Sequence, residues 1–146
     1  MSFTGLPDDM LDEFVKMSTI ANNQLRSLKN KYETNPERID IMYVIYVWCG
    51  ADWMTKIGRS TLDGFLRRMK EHNNDFGKIH NINLVSIRKI EHWTDETKFH
   101  KHMKQYKNGS LVCDVIVNDK KHREVYLKCE EVLEKFNNFI DDLVPV

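Results

Sequence analysis

Five polar side chains, Tyr46, Lys56, Arg68, His72 and Glu96, stand at positions where their types and spacing could do chemistry. Tyr46 lies inside the apolar run Ile41–Trp48, and Lys56 lies near the end of the run Trp53–Gly58. If the two runs form an antiparallel hairpin, Tyr46 and Lys56 can face the same side of neighbouring strands. Arg68 and His72 are four residues apart, as are Glu96 and His100, so each pair shares one face of a helix. A free phenol has a pKa of about 10, too high for a base at neutral pH. An ammonium group within about 4–6 Å lowers it, which is what Lys56 beside Tyr46 would do. Taken singly, each feature is ordinary: a strand tyrosine is usually core, and an Arg/His helical pair is usually a solvated face.

The elements that must position these groups follow from periodicity. Met10, Leu11, Phe14, Val15, Met17, Ala21, Leu25 and Leu28 form one helical stripe, introduced by Pro7-Asp8-Asp9 and ended by Asn35-Pro36. Ile41–Trp48 reads as a buried central strand, Cys49-Gly50-Ala51-Asp52 as a turn, and Trp53–Gly58 as the returning strand. A helix is expected from Thr61 to about Asn73, a third strand over Asn83–Trp93, and a helix over Glu96–Tyr106 capped by Thr94-Asp95. Leu111–Val117 and Arg123–Lys128 read as a C-terminal hairpin across Asn118-Asp119-Lys120-Lys121, followed by a helix carrying Val132, Leu133, Phe136, Phe139, Ile140 and Leu143. The expected class is α/β (α+β): a small central antiparallel three-stranded sheet flanked by helices, with a separate C-terminal hairpin and helix. Residues 1–40 form a helical extension packed on a core domain of residues 41–146.

With 146 residues the chain has the size of one domain. Its N-terminus lacks a secretory leader, and no apolar run nears the roughly 20 residues that span a bilayer. Cys49, Cys113 and Cys129 are odd in number and scattered, which suits reduced thiols in an intracellular protein and excludes a zinc ribbon. Formal net charge is zero, yet residues 56–123 hold 15 Lys/Arg against 8 Asp/Glu, an excess of +7 balanced by −7 elsewhere. A basic middle between acidic ends is the pattern of a face that binds a polyanion.

Hydrophobic-Ile-Tyr on a strand, then hydrophobic-Gly ending a second strand, Arg-x-x-x-His on a helix and Glu on the next resembles the GIY-YIG nuclease superfamily. Here the motifs stand as Val44-Ile45-Tyr46, Lys56-Ile57-Gly58, Arg68-Met69-Lys70-Glu71-His72 and Glu96-Thr97-Lys98-Phe99-His100. With Arg123-Glu124-Val125-Tyr126 they look like the phage- and large-virus-associated branch, and the resemblance covers about residues 42–140. Val44 replaces the first glycine and Lys56 the tyrosine of the second motif.

The resemblance implies a metal-dependent endonuclease acting on duplex or branched DNA inside a cell, in the cytoplasm or nucleus, as a viral protein in its host. It implies one Mg²⁺ or Mn²⁺ ion on Glu96, Arg68 on the phosphate, Tyr46 and Lys56 activating water, and His72 shuttling a proton or positioning Tyr46. Arg67 competes with Arg68 for the arginine role; Arg68 alone sets the four-residue step to His72. Arg59, Arg67, Lys70, Lys98 and Lys101 are expected phosphate contacts. His100-Lys101-His102 invites a metal, but histidines two apart on a helix diverge, so packing or surface is the reading. Trp53 and Trp93 are read as core before base-stacking. The replacement at Lys56 leaves a second reading, a catalytically inactive GIY-YIG-like module that binds nucleic acid or assembles. The apolar stripe of the first helix makes a homodimer conceivable.

Overall fold

The computed structural model describes residues 8–48, 53–75, 82–103, 112–117, 120–126 and 129–143. The expected Pro7 helix start, the Cys49–Asp52 and Asn118-Asp119 turns and the helix end at Tyr106 lie outside these residues, as do the side chains of Trp53, Cys113 and Cys129. The chain order is α1 (Asp8–Lys31), a single 3-10 turn, β1 (Asp40–Trp48), β2 (Trp53–Thr61), α2 (Phe65–Asp75), β3 (Ile82–Ile90), α3 (Asp95–Met103), β4 (Val112–Val117), β5 (Lys120–Tyr126) and α4 (Cys129–Leu143).

The class is mixed α and β around an antiparallel sheet, as expected. The strand count is corrected: one five-stranded sheet runs in the order β3-β1-β2-β5-β4. The C-terminal hairpin is not separate, because β5 pairs with β2 at Thr55↔Tyr126 and Lys56↔Val125. Lys120 and Lys121, expected in the hairpin's turn, belong to β5, where they pair with Val117 and Ile116.

β1 is the centre of the molecule. Ile41 to Val47 are all at most 2% exposed, so this strand is apolar on both faces and shows no alternation in sequence. Its odd residues Ile41, Tyr43, Ile45 and Val47 pack with Leu25 of α1 and Phe65 of α2. Its even residues Met42, Val44 and Tyr46 pack with Phe99 and Met103 of α3 and with Val132, Phe136 and Ile140 of α4. The sheet therefore carries helices on both faces, with a separate hydrophobic cluster on each.

α1 packs against the sheet. Ala21 and Leu25 are buried, and the Gln24 side-chain oxygen accepts the Ile87 N–H of the edge strand β3 at 3.3 Å. The described part of its apolar stripe is thus spent on the chain's own sheet.

α2 begins at Phe65, four residues later than the periodicity suggested. The Thr61 hydroxyl donates to Asp63 Oδ1 at 2.7 Å and accepts the Gly64 N–H at 3.3 Å, so Thr61–Gly64 form the capping turn. α3 starts where Thr94-Asp95 predicted: the Lys98 N–H bonds the Thr94 carbonyl at 3.0 Å, and Asp95 Oδ2 accepts the His92 N–H at 3.3 Å. Among the described residues no helix is long and apolar enough to cross a membrane.

Candidate active site

Register decides which polar groups meet. β1 and β2 pair with Tyr43 opposite Gly58, Ile45 opposite Lys56 and Tyr46 opposite Thr55. Side chains of directly paired residues share a face of the sheet. Lys56 consequently shares its face with Ile45 and with Val125, both in the cluster that contains Tyr43. Tyr46 sits in the opposite cluster, among Ile57, Phe99 and Tyr126. The expectation that Tyr46 and Lys56 face one another is therefore corrected, because an odd offset along a strand reverses the face.

The tyrosine that meets the predicted helix motif is Tyr43. Its hydroxyl lies 2.6 Å from His72 Nε2, and the Arg68 guanidinium stands near enough to the same oxygen to act on its protonation. In the His72 tautomer whose Nε2 carries no hydrogen, the Tyr43 O–H is the donor of this bond. His72 is 2% exposed. The two rings are tilted by 59° with centroids 5.7 Å apart, and Phe65 meets Tyr43 edge-on from the start of the same helix.

Gly58 makes this arrangement possible. A Cβ on Gly58 would lie 2.6 Å from Tyr43 Cζ and closer still to the hydroxyl oxygen. The phenol crosses the space that any other residue's side chain would fill, which is the physical reason for glycine opposite this tyrosine.

Burial pushes the Tyr43 phenol up to about 12, and the nearby carboxylates of Glu96 and Glu71 add to the push. The Arg68 bond and charge pull downward and are outweighed. The idea of a phenol lowered by Lys56 therefore does not describe Tyr43, which is protonated at neutral pH.

Arg68 is half-exposed and forms an ion pair with Glu71 at 2.6 Å, one helical step away. Partial burial works against its charge, but the bonds to Glu71 and Tyr43 outweigh this and raise its pKa. Of the two competing arginines, Arg68 is thus the one brought to the tyrosine and histidine, while Arg67 is exposed.

Glu96, in the first turn of α3, has 27% of its side chain exposed and lies 3.7 Å from His100 Nε2 through Oε2. Among the described residues no group of three or more His, Cys, Asp or Glu side chains could hold a metal ion. A single partly exposed carboxylate with free ligand positions fits a hard divalent ion that keeps most of its waters. His100 is buried, and the exposed His102 lies against Phe139 with ring centroids 5.5 Å apart.

The predicted cationic contacts differ in their settings. Lys70 on α2 and Lys98 and Lys101 on α3 are exposed. Arg59 is half-buried, paired with Asp40 at 3.6 Å and lying 5.8 Å over the Trp93 ring. Trp93, read as core, is 60% exposed, because it falls between β3 and α3 rather than within either.

Tyr43 is the residue that sequence reasoning missed. Ile41-Met42-Tyr43 carries the same hydrophobic-hydrophobic-Tyr pattern as Val44-Ile45-Tyr46, and only its position opposite Gly58 distinguishes it. Comparison with protein-family models, with curated proteins and with solved structures finds no match to this chain.

Proposed function

We propose that this protein is a metal-dependent endonuclease of the GIY-YIG type that hydrolyses phosphodiester bonds in DNA, with Tyr43 taking the role first given to Tyr46. The observation that carries this reading is the Tyr43 hydroxyl held between His72 Nε2, at 2.6 Å, and the Arg68 guanidinium, across Gly58.

Phosphodiester hydrolysis needs a proton acceptor for the attacking water and positive charge for the phosphate as negative charge builds on it. A phenol pushed up to about 12 is a poor base alone. Tyr43 instead passes its hydroxyl proton to His72 Nε2 while its oxygen takes the proton of the water. His72 thus stores the proton, and the phenol never has to exist as a free phenolate. Arg68 faces the same oxygen and provides a planar fork for the non-bridging phosphate oxygens. Lys56, on the same face, adds a cation to the site. Glu96 would hold the Mg²⁺ or Mn²⁺ ion, which supplies Lewis-acid stabilisation of the phosphate and leaving oxygen. Arg59, Arg67, Lys70, Lys98 and Lys101 would hold flanking phosphates.

The test is cleavage of duplex, branched and single-stranded DNA and of RNA with Mg²⁺, Mn²⁺ or EDTA, for wild type, Tyr43→Phe and Glu96→Gln. Metal-dependent cleavage lost in both variants supports the reading; unchanged cleavage by Glu96→Gln sinks it. The raised phenol pKa favours one other reading, a nucleic-acid-binding module without turnover. DNA binding that survives EDTA, with no cleavage of any substrate, would establish that alternative.

A further inference from the structure

A second tyrosine–histidine pair lies on the opposite face of the sheet and ends on Glu96. His100 is 5% and Tyr126 is 1% exposed. His100 Nδ1 is hydrogen-bonded to the Tyr126 hydroxyl, and His100 Nε2 faces Glu96 Oε2 at 3.7 Å. The two rings are parallel within 6° with centroids 5.8 Å apart. Phe99 meets the imidazole edge-on at 5.7 Å and the phenol at 6.2 Å, so neither ring can turn without displacing the core. Tyr126 is in turn fixed by strand pairing, opposite Thr55 of β2.

Donor and acceptor chemistry gives this chain a direction. A carboxylate only accepts, so it favours the tautomer in which the ring nitrogen facing it carries the hydrogen. In the neutral ring Nδ1 is then the acceptor, and the Tyr126 O–H is its donor. Tyr126 fixes the tautomer and the plane of His100, and His100 presents Nε2–H to the carboxylate. At 3.7 Å this is an electrostatic contact rather than a hydrogen bond, so it orients Glu96 while leaving its oxygens available to a ligand.

We infer that Tyr126 and His100 are positioning residues for Glu96, a buried support on β5 and α3 that sets how tightly the carboxylate binds a divalent cation. The inference rests on the reading of Glu96 as the metal-holding residue. Supports of this kind tune affinity because they remove the cost of orienting the ligand when the ion arrives, and their loss weakens binding roughly 10- to 100-fold. A merely structural His–Tyr pair would lower the unfolding temperature and leave cation affinity alone.

The experiment is Mn²⁺ binding to the full chain without nucleic acid, followed by loss of the free-ion electron paramagnetic resonance signal. Thermal unfolding of the metal-free proteins is recorded in parallel. The variants are Glu96→Gln, His100→Gln and Tyr126→Phe; the last removes one oxygen and keeps the ring, so it guards against failure of His100→Gln to fold. Loss of Mn²⁺ binding in Glu96→Gln, with affinity reduced at least about tenfold in Tyr126→Phe, is the expected result. Wild-type affinity in folded Tyr126→Phe, with Glu96→Gln defective, would overturn the inference and leave the metal reading intact. Undiminished Mn²⁺ binding by Glu96→Gln would overturn both.

Discussion

Tyr43 of β1 and His72 of α2 are joined by a buried 2.6 Å hydrogen bond that passes over the unsubstituted face of Gly58. This bond ties the central strand to the helix that carries Arg68.

The two tyrosines of β1 are expected to separate cleanly in function. Tyr43→Phe removes the oxygen shared by His72 and Arg68 and should lower the cleavage rate at least about 10²-fold, the scale of a lost general acid–base group. Tyr46→Phe acts on the other face and should leave the rate within about fivefold, with a stability change of about 1 kcal/mol for the altered buried hydroxyl. Single-turnover cleavage and urea unfolding of both variants provide the check. Equal rate losses would reverse the assignment of Tyr43 over Tyr46.

Gly58→Ala should both destabilise and inactivate. Its new methyl group would sit 2.6 Å from Tyr43 Cζ, so the phenol must move or the strands must part. Overpacking of this kind costs about 1–3 kcal/mol. In a Tyr43→Ala background most of that cost should vanish, because the clashing ring is gone. A double-mutant cycle by denaturant unfolding measures the difference directly.

Alkaline pH should weaken the fold through Tyr43. Its folded-state pKa of about 12 lies above the unfolded value of 10.0, so between these limits the unfolded chain releases a proton that the folded chain retains. Stability from this group is therefore fully present below pH 10 and is lost as pH rises toward 12, by on the order of 2–3 kcal/mol. Tyrosinate absorbance should show a late-titrating phenol that is lost in Tyr43→Phe, and that variant's stability should fall less steeply over the same range.

Glu71 should act as a placeholder for the phosphate on Arg68. The pair is 2.6 Å apart with both side chains 48% exposed, a setting in which ion pairs contribute below about 1 kcal/mol. Glu71→Gln should therefore leave the unfolding midpoint nearly unchanged and lower KM for DNA by freeing the guanidinium. Arg68→Lys keeps the charge but loses the fork, and should cost roughly 10²-fold or more in kcat. A raised KM in Glu71→Gln would show that the carboxylate orders Arg68 rather than competing for it.

Much of the scaffold was legible along the chain. The apolar, β-branched run of β1 announced a strand buried on both faces, and the four-residue step placed Arg68 and His72 on one side of α2. Thr94-Asp95 marked the start of α3 and with it the place of Glu96, because capping is local chemistry. Periodicity also separated the apolar stripe of α4, and the described part of that of α1, from their polar faces. The union of the C-terminal hairpin with the main sheet was not legible, since among the described residues just two pairs, Thr55↔Tyr126 and Lys56↔Val125, make that junction.

The choice between Tyr43 and Tyr46 belonged to tertiary structure alone. Both end a hydrophobic-hydrophobic-Tyr step in a strand that is apolar on each side, so alternation, the usual guide to a face, is silent there. Their three-residue offset sends them to opposite faces, and only the pairing register says which one lies over Gly58. The sequence by itself determined the elements and supplied the phenol, guanidinium, imidazole and carboxylate. Tertiary structure decided which phenol meets the other groups, because register is a property of paired strands and not of either strand alone.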